Sequence, residues 1–97
     1  MSDLEKELIR LRKEIDSLDE EMVKLLNKRV DLAHRIGTVK RRLHLPVYVP
    51  EREEQVIQNI QRINTGPLPG EALRHLYERI IDETRRLEQE NYVTKLR

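Results

Sequence analysis

The sequence predicts an all-α chain of three helices, the first of them very long. Three observations carry this. Apolar residues recur at helical spacing over about forty residues from the N-terminus. Proline-bearing stretches at 46–50 and 67–69 cut the chain into three segments. Charged residues make up 38% of the chain and flank the apolar positions, while hydrophobic residues reach only 37%, below the roughly 45–50% of globular chains.

The first helix spans about residues 3–43. Stepping alternately four and three residues from Leu4 gives Leu8, Leu11, Ile15, Leu18, Met22, Leu25, Arg29, Leu32, Ile36, Val39 and Leu43, and eleven of these twelve positions are apolar. That is a heptad seam. Ser2 or Asp3 can cap its start, and Glu5 adds favourable first-turn charge. Leu45-Pro46 stops it, because the residue before proline is pushed out of helical geometry. Pro46 to Pro50 is an extended connector. The second helix runs from about Pro50, a favoured first position, to 64, with Glu51, Glu53 and Glu54 at its positive end. Its apolar face is Val56, Ile57, Ile60 and Ile63. After a turn at Leu68-Pro69-Gly70, the third helix occupies about residues 71–91. Its stripe is Leu73, Leu76, Tyr77, Ile80, Ile81, Thr84 and Leu87. Residues 92–97 read as a frayed tail.

Ninety-seven residues make one domain. Zero Cys excludes a disulfide framework, a Cys-ligated zinc site and a Cys nucleophile. No apolar run approaches membrane-spanning length, and no secretory segment follows Met1, so a cytoplasmic location is expected. The net charge of +1 gives no global attraction to nucleic acid or membrane. A forty-residue helix is about 60 Å long, whereas a compact chain of this size has a radius of gyration near 12–13 Å. With three aromatic residues, one chain has little to bury such a helix. A second copy is the simplest source of the missing burial.

Polar residues in apolar places are the functional candidates. Arg29 breaks the seam. It either sets register with its stem packed and its head in water, or it serves an anion site. Arg29, Ala33, Gly37 and Lys40 follow at steps of four, four and three, so two cations bracket two small residues on nearly one face. They lie about 16 Å apart along the axis, and the trough between them suits a compact anion. Gly37 in mid-helix costs about 1 kcal/mol against Ala, which calls for a reason such as close approach. Close helix packing at that point is the other account. Arg12 lies about 100° around from Arg29: on its own it reads as solvent-exposed, and in a dimer of long antiparallel helices it could reach the partner's pocket. Thr84 and Glu88 share a face of the third helix; the plain reading is a boundary position with Glu88 reaching water. The three His show no metal-ligand spacing. Lys40-Arg41-Arg42 reads as a solvated helix end. No phosphate loop, serine elbow or aromatic interleaving for bases is present.

Taken in order, Leu11 to Asp19, Leu25 to Arg29, Ile36 to Lys40 and Pro46 to Glu53, then Ile80 to Thr84 and on to Glu88, resemble the all-helical (AroQ class) chorismate mutases. The resemblance covers nearly the whole chain. It implies an intertwined homodimer whose two sites each borrow a residue from the partner. It implies conversion of chorismate to prephenate in phenylalanine and tyrosine biosynthesis, with no cofactor and no metal. By position, Arg12 of the other subunit would bind a substrate carboxylate and Arg29 the second carboxylate region. Lys40 would contact the ether oxygen and a carboxylate. Arg52 and Glu53 would lie at the second helix, with Glu53 holding the ring hydroxyl. Thr84 would stand near a carboxylate. Glu88 stands where many relatives have Gln, and Val49 where relatives often have Asp, so a contact there would come from its backbone N–H. An ionised Glu88 cannot donate a hydrogen bond. Burial would raise its pKa and Arg29 and Lys40 would lower it, and the sequence does not decide which prevails. Isochorismate pyruvate lyase and a non-catalytic helical dimerisation module are the competing functions.

Overall fold

The computed structural model describes residues 1–96, with side chains through residue 90. The order is α1 (Asp3–Arg42), α2 (Pro50–Ile63) and α3 (Gly70–Leu96), with no strand among the described residues. No described helix is long and apolar enough to cross a membrane. The chain divides into two units, residues 1–32 and residues 33–97.

The first unit is helix alone. The choice of cap falls on Ser2. Its Oγ accepts the Glu5 N–H at 3.1 Å, and its own N–H donates to the Glu5 carboxylate at 3.2 Å. This is a reciprocal capping box, which satisfies two otherwise orphaned donors. All eight apolar seam residues from Leu4 to Leu32 are exposed, by 43–79%. An isolated helix draws little stability from propensity alone, so this face requires a covering surface.

The second unit contains the last turns of α1, the connector, α2 and α3. Helix α1 ends one turn before Pro46. His44 takes a left-handed conformation (φ 57°). Its N–H donates to the Arg41 carbonyl at 3.2 Å, and the Leu45 N–H donates to the Lys40 carbonyl at 2.8 Å. This is a Schellman cap, usually built on glycine. Here a His occupies the strained position, where a side chain costs about 1–2 kcal/mol. Helix α2 starts on extended Val49 (φ −129°, ψ 94°), which lends no side-chain cap. Instead the Val49 carbonyl accepts the N–H groups of Arg52 and Glu53, at 3.1 and 3.2 Å. Asn64 organises the next turn: its carboxamide oxygen accepts the Gly66 N–H at 3.0 Å and its amide donates to the Leu68 carbonyl at 2.7 Å.

Helices α2 and α3 pack against each other around Ile57, which is 3% exposed. Val56, Ile60, Leu73, Tyr77, Ile80, Ile81 and Leu87 are half-buried. Two residues of the expected apolar faces stay out of this core: Ile63, in the last turn of α2, is 68% exposed and Leu76 is 54% exposed. Arg74 grips Glu54 through two parallel bonds of 3.2 and 2.9 Å. This lowers the Glu54 pKa, but the pair faces water and adds little stability. The α3 backbone is helical to Leu96, beyond the expected end near 91. No Gly or Pro stands between 71 and 96 to stop it. The side chains of the expected tail, and Arg97 altogether, lie outside the described residues.

Candidate active site

The second unit gathers polar side chains in two adjoining groups. In the first, α3 meets the last turns of α1. Gly37 is buried. A Cβ placed on it would sit 3.7 Å from the Glu88 Cδ and 3.7 Å from Arg41 Nη1. The glycine therefore does mark a close approach, and what approaches is the Glu88 carboxyl group. Burial raises the Glu88 pKa, while Lys40, His34 and Arg41, in that order, pull it down. Burial prevails. A carboxyl in this position holds its proton to higher pH than one in water. Lys40 appears among its opposing charges as the sequence suggests, and the other two are His34 and Arg41. Arg41 is thus no simple solvated helix end: it is half-buried and donates to Thr38 Oγ1 at 3.1 Å.

Lys40 Nζ donates to the Val47 carbonyl at 3.2 Å. This bond ties the ammonium to the connector and leaves two of its three donors for other acceptors. Thr84, one turn before Glu88, is buried at 8% exposed. Its hydroxyl donates to the Ile80 carbonyl at 2.7 Å. In this rotamer it can accept a hydrogen bond but has no proton to offer a carboxylate.

The second group lies where the connector and the first turn of α2 face α3. Glu53 Oε1 accepts from Arg85 Nη2 at 2.8 Å, and the same nitrogen donates to Asp82 Oδ1 at 2.9 Å. The Arg85 guanidinium carbon stands 4.6 Å from the centroid of the Tyr48 ring, in cation–π range. A cleft of about 210 Å³ borders this group, lined in part by Tyr48, Glu53, Glu54 and Asp82. Val49 contributes backbone here, as the N-cap of α2. Arg52 is exposed and donates to Gln55 at 2.9 Å, on its own helix.

The remaining two candidates belong to the first unit. Arg29 is half-buried and Arg12 is exposed. Thus the structure brings together Lys40 and Glu88, sets Thr84 one turn before Glu88 on α3, and places Glu53 on Arg85. The sequence reading misses Arg85, Arg41, His34 and Tyr48. Arg85 lies 32 residues from Glu53, beyond any local spacing rule. Arg41 does have a local signal, standing one turn after Gly37.

A family model described as chorismate mutase type II matches residues 11–89. The chain is 47% identical over 94 residues to the bifunctional chorismate mutase/prephenate dehydratase of Aquifex aeolicus, covering 93% of this chain and 26% of that protein. The chain spans about a fifth to a quarter of the length of its bifunctional and T-protein relatives from Aquifex aeolicus, Neisseria gonorrhoeae, Enterobacter agglomerans and Pseudomonas aeruginosa. The Thermus thermophilus chorismate mutase structure (form II) superposes with a TM-score of 0.83 at 36% identity, covering 86% of this chain and 94% of that one. The Helicobacter pylori chorismate mutase structure in complex with prephenate superposes with a TM-score of 0.82 at 34% identity, covering 95% and 99%.

Proposed function

The chain belongs to the type II chorismate mutase family, and from that premise we propose that it converts chorismate to prephenate as a homodimer. The observation that carries this reading is the Glu88 carboxyl group, packed over Gly37 and pushed towards its protonated form among Lys40, His34 and Arg41.

The reaction is an intramolecular [3,3] rearrangement. One C–O bond breaks while one C–C bond forms, and no proton is gained or lost. No nucleophile is needed. The protein has to hold a dianion in a compact conformer and stabilise the charge that grows on the ether oxygen as the C–O bond opens. A neutral Glu88 can donate a hydrogen bond there, and the free donors of Lys40 can do the same. Both interactions strengthen as the bond breaks, so they act on the rate and not only on binding. Arg29, and Arg12 from the second copy, take the two carboxylates, for which guanidinium forks are suited. Glu53 accepts the ring hydroxyl. Arg52, Thr84 and the Val49 backbone line the site. The second copy also covers the exposed seam of α1.

The test is to follow chorismate consumption and identify the product. Prephenate formation supports the proposal. Pyruvate release from isochorismate without prephenate from chorismate would make it a lyase, and binding without turnover would make it a non-catalytic module.

A further inference from the structure

We infer that Arg85 is the positioning residue for Glu53: it offsets part of the charge of this carboxylate and orients it so that it can accept a hydroxyl of a substrate that is itself a dianion. The inference rests on the proposed function. Its physical ground is a conflict of charge. A lone carboxylate in a site built for a dianion repels what it is meant to hold, and the repulsion is strong where water is partly excluded. Glu53 is 27% exposed and Arg85 29%, so the pair is only partly screened.

The geometry resolves the conflict. Arg85 Nη2 takes Glu53 Oε1 at 2.8 Å and leaves Oε2 to accept from a ligand. Two further contacts fix the guanidinium. Asp82 shares the same nitrogen at 2.9 Å, and the Tyr48 ring lies 4.6 Å from the guanidinium carbon. Connector, α2 and α3 therefore all bear on one side chain. The arrangement has a cost, since Arg85 Nε is buried with no hydrogen-bond partner. A buried donor left unsatisfied calls for a reason. Holding Glu53 supplies one.

The experiment is a double-mutant cycle on the full chain, with Arg85→Gln, Glu53→Gln and both together, assayed with chorismate. Arg85→Gln is expected to raise KM about tenfold with little change in kcat, the pattern of lost uniform binding. In the Glu53→Gln background the same change is expected to do almost nothing, because a neutral amide needs no counter-charge. Arg85→Lys, which keeps the charge and loses the fork, is expected to recover most of the KM. Additive effects, or a loss confined to kcat, would overturn the inference. Should Arg85→Gln fail to fold, the cycle is run with Arg85→Lys: a KM increase that disappears beside Glu53→Gln supports the inference, and one that persists overturns it. Lack of prephenate formation by the unaltered protein would instead defeat the proposed function, and the same assay reads it separately.

Discussion

Residues 1–32 and residues 33–97 solve the problem of burial in opposite ways. The first region is a capped helix whose eight apolar seam residues are all exposed. The second buries Ile57 and Thr84 and pairs several of its charges internally, through Arg74–Glu54, Arg85–Glu53 and Lys40–Val47. One region has apolar surface and no core, and the other has a small core and an organised polar site. In the proposed homodimer a second copy covers the first region, as the strands of a coiled coil cover one another. The second already brings Glu88 to Gly37 and Arg85 to Glu53.

The largest expected effect comes from charging the seam. Ile15→Asp together with Leu18→Asp should convert the protein to monomers in sedimentation equilibrium and abolish turnover, while leaving the Gly37–Glu88 group untouched. A stable dimer in this variant would break the contrast between the two regions. Next comes Ile57→Ala in the core of the second region. It should cost about 2–5 kcal/mol of unfolding free energy by chemical denaturation. The dimer should still form, and its melting temperature should still rise with protein concentration, as association requires.

Glu88→Gln tests the site in a smaller window. Burial raises the Glu88 pKa against Lys40, His34 and Arg41. The folded state therefore keeps this proton to higher pH than the unfolded chain does. The linked stability is fully present below the ordinary carboxylate value and is lost as pH rises through the raised one. Activity should follow the same direction: full at low pH, then falling about tenfold per pH unit above the Glu88 titration. Glu88→Gln should flatten the profile. The smallest effect is at the end of α1, where His44→Gly should relieve the left-handed strain and stabilise by about 1 kcal/mol, read as a raised melting temperature.

The helices were legible because periodicity and proline placement are local properties. Leu4 to Leu43 announce α1 without reference to any other segment. The Schellman cap at His44 was hidden because His is an unusual left-handed residue, and Pro46 offered a plausible stop two positions later. Ile63 and Leu76 fit their stripes, yet α2 and α3 pack only along part of those faces. Gly37 was legible as a close approach, and only the fold reveals that Glu88 is what comes near. The sign of the Glu88 shift depends on how much burial and how many cations meet there, which no spacing rule supplies. Arg85 was invisible for the same reason: its partners Tyr48 and Glu53 are distant in sequence, and its neighbours Glu83 and Arg86 make it look like one more charge on a solvated face.

In the proposed homodimer, the exposed helix of one chain completes the polar site of the other. Mixing Arg12→Ala with Lys40→Ala, each inactive alone, tests this directly under conditions that let subunits exchange. If Arg12 acts in the partner's site, half of the dimers carry one intact site. Prephenate formation should then recover to about a quarter of the unaltered protein's rate per chain. No recovery, with exchange verified by mass spectrometry, would contradict it.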